Sequence, residues 1–259
     1  SGGKLARTKH VELDIDGAAT EVSQLVGEEL PDLVLLNDGD LAYAKIRLDE
    51  KSHQVALENL SGIEDSLART LVWTAAWDAT RDGESPASDF VQLVLDHIAS
   101  ETESTTVTTL LRQLVTTASL YVSAERRVAT QEKIAAGLIS LTESAAAGSD
   151  NQLQFAKFVP QFARTDSQLD WMQQLLSGGK EITGLVIDQD MRWELTVGLV
   201  VGGRIDETGI AAELERDNTA NGQKFAAAAR ASIPTAEAKA KTWHLLTETE
   251  EYSNTLINA

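Results

Sequence analysis

At 259 residues, of which 42% are apolar, the chain is long enough to bury one large hydrophobic core or two smaller ones. Its 40 acidic and 22 basic residues give a net charge of −18, which repels a phosphate backbone and argues against nucleic acid as a partner. No cysteine is available for a disulfide or a thiol nucleophile, and no apolar run approaches the ~20 residues of a membrane span. With no secretory leader recognised, we expect a cytoplasmic protein without a membrane partner.

Four β-strands are predicted in residues 1–51, because apolar and polar side chains alternate there with period two. They are expected near 10–15, 21–26, 33–37 and 43–48. Asp16-Gly17 and a second turn beginning at Asn37 separate them, and Tyr43 is expected to be buried. A two-layer sandwich needs about seven strands. We therefore interpret residues 1–51 as the C-terminal part of a β-sandwich domain, whose cut edge could pair with another copy.

Residues 52–259 are predicted to be helical, because apolar residues recur there at intervals of three and four. The expected helices cover 61–81, 90–98, 110–120, 125–147, 155–162, 166–177, 190–201, 207–216, 222–232 and 235–247. Ser61 should open the first in a capping box, Gly178 should end the sixth, and Trp73 and Trp77 should pack in the core. Short connections favour antiparallel neighbours stacked as a solenoid.

No catalytic or metal-binding residue is predicted. The four histidines, His10, His53, His97 and His244, never show the H-E-x-x-H spacing that places two imidazoles one helical turn apart. His97 and His244 are interpreted as helix-surface or boundary residues. The sequence contains no G-x-S-x-G motif, and nothing local indicates a Ser-His-Asp arrangement.

Four residues are candidates for facing a peptide: Arg192, Trp193, Lys239 and Lys241. Arg192 could instead pair with Asp188 or Asp190 while the indole of Trp193 packs inward. The two lysines pose the same choice between a structural role and a binding role. The sequence leaves both alternatives open.

Five segments, in order, resemble the aminopeptidase N family of zinc-dependent gluzincin exopeptidases, and its bacterial branch most. They are 37–49 (NDGDLAYAKIRLD), 73–83 (WTAAWD with RDG), 190–193 (DMRW), 217–222 (DNTANG) and 238–243 (AKAKTW). The resemblance covers nearly the whole chain. It implies a mostly α fold, in which the end of a small β-sandwich leads into a HEAT-like α-solenoid. It also implies that the helical domain, residues 52–259, is truncated at its C-terminal end, so that Ser253–Ala259 should open a further helix.

The resemblance also implies a function for the parent protein, which would remove N-terminal residues from peptides with zinc. The family's H-E-x-x-H and G-x-M-E-N motifs are absent from this sequence, so this chain alone should be inactive and hold no cofactor. Its partners would be the catalytic domain of the same polypeptide and peptide substrates, and its role would be to shape the chamber and limit access. The alternatives are a free-standing helical-repeat scaffold that binds a partner protein, and an all-helical enzyme with its own site.

Overall fold

The structure is a computed structural model that describes residues 3–249 and 253–257, and most of these residues are helical. The chain forms two compact units, Ser1–Glu101 and Thr102–Ala259. The first α-helix begins at Glu50, close to the predicted change from strand to helix.

The N-terminal segment differs most from expectation. Residues 3–49 form no strand; they contain a 3-10 turn at Ser23–Leu25 and an isolated bridge between Leu5 and Ile63. A strand is stable only when its backbone groups pair with a neighbour and its apolar face is covered. Here the apolar side chains remain largely exposed, including those of Ile15, Val26, Leu30 and Leu41. The four predicted strands are therefore not formed, and Tyr43 is fully exposed rather than buried.

The turn predicted at Asn37 is confirmed. Asn37 adopts the left-handed conformation with φ 55°. Its side chain closes the loop in both directions: Nδ2 donates to the carbonyl of Ala42 at 2.8 Å, and Oδ1 accepts from the Ala42 N–H at 2.8 Å. An asparagine at this position supplies both the backbone conformation and the two hydrogen bonds.

Three α-helices follow in the first unit: α1 (Glu50–Asn59), α2 (Ser66–Arg81) and α3 (Ala87–His97). The pattern missed α1, and the predicted helix start at Ser61 is wrong. Asp65 caps α2 instead, because its carboxylate accepts from two backbone N–H groups of the first turn, at 2.8 and 3.2 Å.

The last part of the N-terminal segment packs on α2. Ile46 is buried against this helix, and the basic residues on either side of it, Lys45 and Arg47, reach the acidic end of the same helix. Lys45 Nζ lies 2.7 Å and Arg47 Nη2 lies 2.6 Å from Asp82 Oδ2, and Arg47 also pairs with Glu84. The buried side chain of Ile46 and the ion pairs of Lys45 and Arg47 thus hold this segment against α2 without a β-sheet.

The second unit is built of α-helices joined by short connections. They are α4 (Ser104–Thr116), α5 (Ala124–Ser144), α6 (Asp150–Phe162), α7 (Asp166–Ser177), α8 (Gln189–Val201), α9 (Glu207–Arg216), α10 (Ala220–Ser232), α11 (Ala236–Thr247) and α12 (Asn254–Ile257). A π-helical turn, Thr117–Tyr121, follows α4. The helix expected after Ser253 is described only as α12, since residues 258 and 259 lie outside the described part.

These helices form two rows. In one row α4, α6, α8, α10 and α12 are successive neighbours, and in the other α5, α7, α9 and α11 pack against the members of the first. The contact between α6 and α8 is close because position 198 is a glycine: a Cβ at Gly198 would lie 2.6 Å from Pro160 Cβ. The observed contacts agree with the prediction of stacked helix pairs.

Candidate functional site

Trp193 on α8 is fully buried and joins two helices of one row. Its indole Nε1 donates to Asp217 Oδ2 at 2.9 Å, and its ring stacks on Phe225 of α10 with centroids 5.9 Å apart. The inward packing considered from the sequence is therefore confirmed. Since no face of the indole reaches solvent, Trp193 does not offer a peptide-binding surface in this structure.

Arg192 has a different ion-pair partner from the two considered. Its Nε and Nη2 atoms bind Glu213 of α9 at 2.7 and 2.5 Å, and Nη1 donates to the Leu176 carbonyl at 3.0 Å. Asp188 is unsuited to this role because it caps α8, accepting from the backbone N–H of Met191 at 2.8 Å. Arg192 is thus a link between α7, α8 and α9.

The pKa values of Arg192 and Glu213 reflect the two hydrogen bonds between them. The bond to Glu213 raises the pKa of Arg192 above its ordinary value, against the opposing effect of burial. Burial is the largest single effect on Glu213 and disfavours its charged form, but the hydrogen bonds and charge of Arg192, the bond from Gln189 and the charge of Arg216 together hold the pKa of that carboxyl below its ordinary value. Both groups are therefore charged at neutral pH.

Arg192 also lines a groove of about 970 Å³, which we call the 173–216 groove. The end of α7, the loop that follows it, α8 and the end of α9 surround the groove. The residues lining it are Gln173, Leu175, Leu176, Ser177, Gly178, Lys180, Glu181, Ile182, Thr183, Gly184, Leu185, Ile187, Arg192, Leu199, Ile205 and Arg216. Its volume lies at the upper end of the ~300–1,000 Å³ typical of small-molecule sites.

Lys239 and Lys241 lie elsewhere, on the exposed face of α11. Lys239 Nζ donates to the Ala231 carbonyl near the end of α10 at 2.6 Å, whereas Lys241 contacts no described residue through a hydrogen bond or ion pair. Neither is among the described residues that line the 173–216 groove. The four candidates therefore do not come together in one site.

Sequence reasoning missed a second buried ion pair, in the first unit. Arg69 binds Glu101 through Nε at 3.0 Å and Nη2 at 3.3 Å, and the indole of Trp73 donates to Glu101 Oε1 at 2.8 Å. Arg69 is 8% and Glu101 only 2% exposed. The spacing of Arg69 and Trp73 on one helix face was visible in the sequence, but nothing identified Glu101, 28 or more residues away, as their acceptor.

His97 is buried, which corrects its interpretation as a surface or boundary residue. Its Nδ1 accepts from the Ser61 backbone N–H at 3.4 Å, so Nε2 is the atom that donates to the Leu57 carbonyl, at 2.9 Å. His244 is exposed and bonds to Glu248 of its own helix.

Within the described ranges, no group of three or more histidine and acidic side chains could hold a metal ion. In the same ranges, no helix combines the length and the apolar character needed to cross a bilayer.

Two comparisons with known proteins bear on this geometry. The family model described as "ERAP1-like C-terminal domain" matches residues 33–259. Aminopeptidase N of Streptomyces lividans is 42% identical over 257 residues, an alignment that covers 99% of this chain and 30% of that protein. The chain therefore spans less than a third of the length of this relative.

Proposed function

This chain belongs to the family of ERAP1-like C-terminal domains, and from that membership we propose that it is a non-catalytic part of a zinc-dependent aminopeptidase. The observation that carries the proposal is the alignment of 99% of the chain with an aminopeptidase N. The sequence has no H-E-x-x-H pair, so the zinc and the reaction belong to a catalytic domain in the same polypeptide. We place the protein in the cytoplasm.

The role we propose is steric. The two rows of helices form a HEAT-like array that walls a chamber next to the catalytic domain, admitting peptides and excluding folded proteins. Stacked helix pairs support this role because each repeat buries its apolar face against its neighbours and leaves an extended surface. The net charge of −18 would favour the cationic N-terminus of a peptide at that surface.

We propose that residues 10–48 complete a β-sandwich when other strands of the polypeptide are present. Alternate apolar residues that the structure leaves exposed, such as Leu13 with Ile15 and Val34 with Leu36, support this proposal. Such pairs would lie on one face of a strand and be buried by a facing layer. In the absence of those strands, the same edge could pair with a second copy of the chain.

A chimera tests the steric role. This chain would replace the aligned region of the Streptomyces lividans enzyme, and a second variant would lack that region. We expect the chimera to cleave short peptides and to spare the N-termini of folded proteins. If the shortened variant is soluble, it should lose this discrimination. Equal discrimination by both variants, measured as the ratio of kcat/KM for a short peptide and a folded protein, would refute the role.

A free-standing scaffold is the second candidate, and one observation favours it. The 173–216 groove is a concave surface lined in part by aliphatic side chains that are only partly buried, a combination that suits the binding of a ligand or of a segment of another protein. A scaffold would bind its partner without the catalytic domain.

A further inference from the structure

The 173–216 groove is held in a fixed shape by glycine contacts and buried hydrogen bonds. Gly178 ends α7 in the left-handed conformation, with φ 78°. Gly184, with φ 84°, packs so closely that a Cβ there would lie 2.1 Å from the backbone nitrogen of Gly148. The buried side chain of Gln152 donates to the Thr183 carbonyl at 3.1 Å. The loop wall is therefore preformed, which lowers the entropic cost of binding.

The inner surface of the groove is partly apolar, and its apolar part is incompletely covered. Five aliphatic residues from α7 and the two loops are only partly buried: Leu176, Ile182, Leu185, Ile187 and Ile205. Their burial by a ligand would remove apolar area from water, at roughly 25 cal/mol per Å². An aliphatic side chain suits this surface.

Of the three basic residues in the lining, two already have carboxylate partners. Lys180 lies 2.8 Å from Glu143, and Arg192 engages both oxygens of Glu213. Arg216 is different: its side chain is 63% exposed, and its Nε lies 4.0 Å from a Glu213 oxygen that already accepts from Arg192. Arg216 therefore has N–H donors available for an added carboxylate.

Glu181, the acidic residue of the lining, limits how much negative charge the groove can accept. It is exposed and pairs with no basic group among the described residues. A run of carboxylates would be repelled by it, whereas one carboxylate can approach Arg216. The charges thus suit a ligand with a single acid.

We propose that the 173–216 groove binds a short extended peptide segment of a partner protein, in which one acidic residue lies between aliphatic residues. The aliphatic side chains cover the apolar surface, and the carboxylate binds the guanidinium of Arg216. The peptidase function is not required for this binding, because every residue that lines the groove lies within residues 173–216 of this chain.

Two peptides and two variants test the proposal on the full 259-residue chain. The peptides are acetyl-Leu-Glu-Leu-amide and its matched neutral form, acetyl-Leu-Gln-Leu-amide. The variants are Arg216→Gln and a control, Arg126→Gln, which neutralises an exposed arginine of α5 outside the groove. NMR titration would follow the backbone amides of Leu185 and Ile187 and yield a Kd for each pair.

We expect the acidic peptide to shift the groove amides and to bind about 2–5-fold more tightly than the neutral one, as one exposed ion pair allows. Arg216→Gln should abolish that difference while retaining the weaker apolar binding, and Arg126→Gln should leave it unchanged. Equal binding of both peptides by the unmodified chain would overturn the role of Arg216. Shifts confined to other surfaces, or no shifts with either peptide, would overturn the site itself.

Discussion

The two units each contain a buried arginine–glutamate pair bound near a tryptophan, and the two pairs differ in access to water. In the first unit, Arg69 and Glu101 are closed off, and Arg69 also binds the carbonyls of Ile63 and Glu64. In the second, the side chain of Arg192 is 18% exposed and borders the 173–216 groove. The arginine–glutamate pair of the first unit therefore serves only packing, whereas the arginine of the second pair also forms part of the wall of an open groove.

The difference predicts unequal effects of removing each glutamate. Glu101→Ala leaves Nε and Nη2 of the buried Arg69 and the indole N–H of Trp73 without their acceptor, at a site with little access to water. We expect a loss of about 3–5 kcal/mol in the free energy of unfolding, measured by urea denaturation with tryptophan fluorescence. Glu101→Gln, which keeps one acceptor, should cost less. A loss below about 1 kcal/mol for the alanine variant would contradict a closed site.

Glu213→Gln should cost less than Glu101→Ala, about 1–3 kcal/mol at neutral pH, because Arg192 can be hydrated from the groove. The pKa of Glu213 is lower in the folded chain than in the unfolded chain. Its contribution is therefore present above the unfolded pKa and disappears as pH falls from that ordinary glutamate value through the lower folded value.

Urea denaturation over a pH series checks this contribution. Stability of the unmodified chain should fall more steeply in that acidic range than stability of the Glu213→Gln variant. Parallel curves for the two proteins would show that the ion pair does not control the acid response.

Glu194 on α8 has a pKa shifted in the opposite direction to that of Glu213, so its charge should affect stability in the opposite way. Burial disfavours its charge, Asp190 adds to this effect and Lys157 opposes it, so the pKa of Glu194 lies above its ordinary value. Its carboxylate accepts no hydrogen bond from a described residue. A raised folded pKa means that stability is lost as pH rises above the unfolded value. Glu194→Gln should therefore stabilise the chain at neutral pH by up to about 1 kcal/mol, and a destabilisation in thermal unfolding would refute this.

The smallest effects should come from the exposed lysines of α11. Lys239→Ala removes one hydrogen bond to a backbone carbonyl, and Lys241→Ala removes no hydrogen bond or ion pair with a described residue. Each should change the free energy of unfolding by less than about 0.5 kcal/mol. A larger change in urea denaturation would show that these side chains support the fold, which would weaken their candidacy for binding peptides.

The helices of the second unit were largely predictable because their ends carry local signals. α7 matches its predicted range, from the Thr165 cap to Gly178, and α9 matches from its Asp206 cap. α1 was missed because the residues it buries, Ser52 and Ala56, are small and give no stripe of large apolar side chains. The prediction of strands was wrong for another reason. A strand with one apolar face needs a second layer to cover that face, and residues 3–49 have no such layer here.

The family was predictable from ordered motifs, and the comparisons confirm it. The partners of individual side chains were harder to predict, because they depend on contacts between helices that are distant in the sequence. The inward packing of Trp193 was one of two alternatives that the sequence left open, and Glu213, 21 residues from Arg192, carried no local signal. The groove was equally hidden, since it is assembled from the ends of several helices.

We propose that these helices serve zinc chemistry located elsewhere in a longer polypeptide. The most direct test is the rate at which the purified chain hydrolyses aminoacyl-arylamides in the presence of zinc, with its metal content measured in parallel. The account predicts no turnover above the uncatalysed rate and no stoichiometric zinc. Turnover that depends on zinc bound to the chain would contradict it.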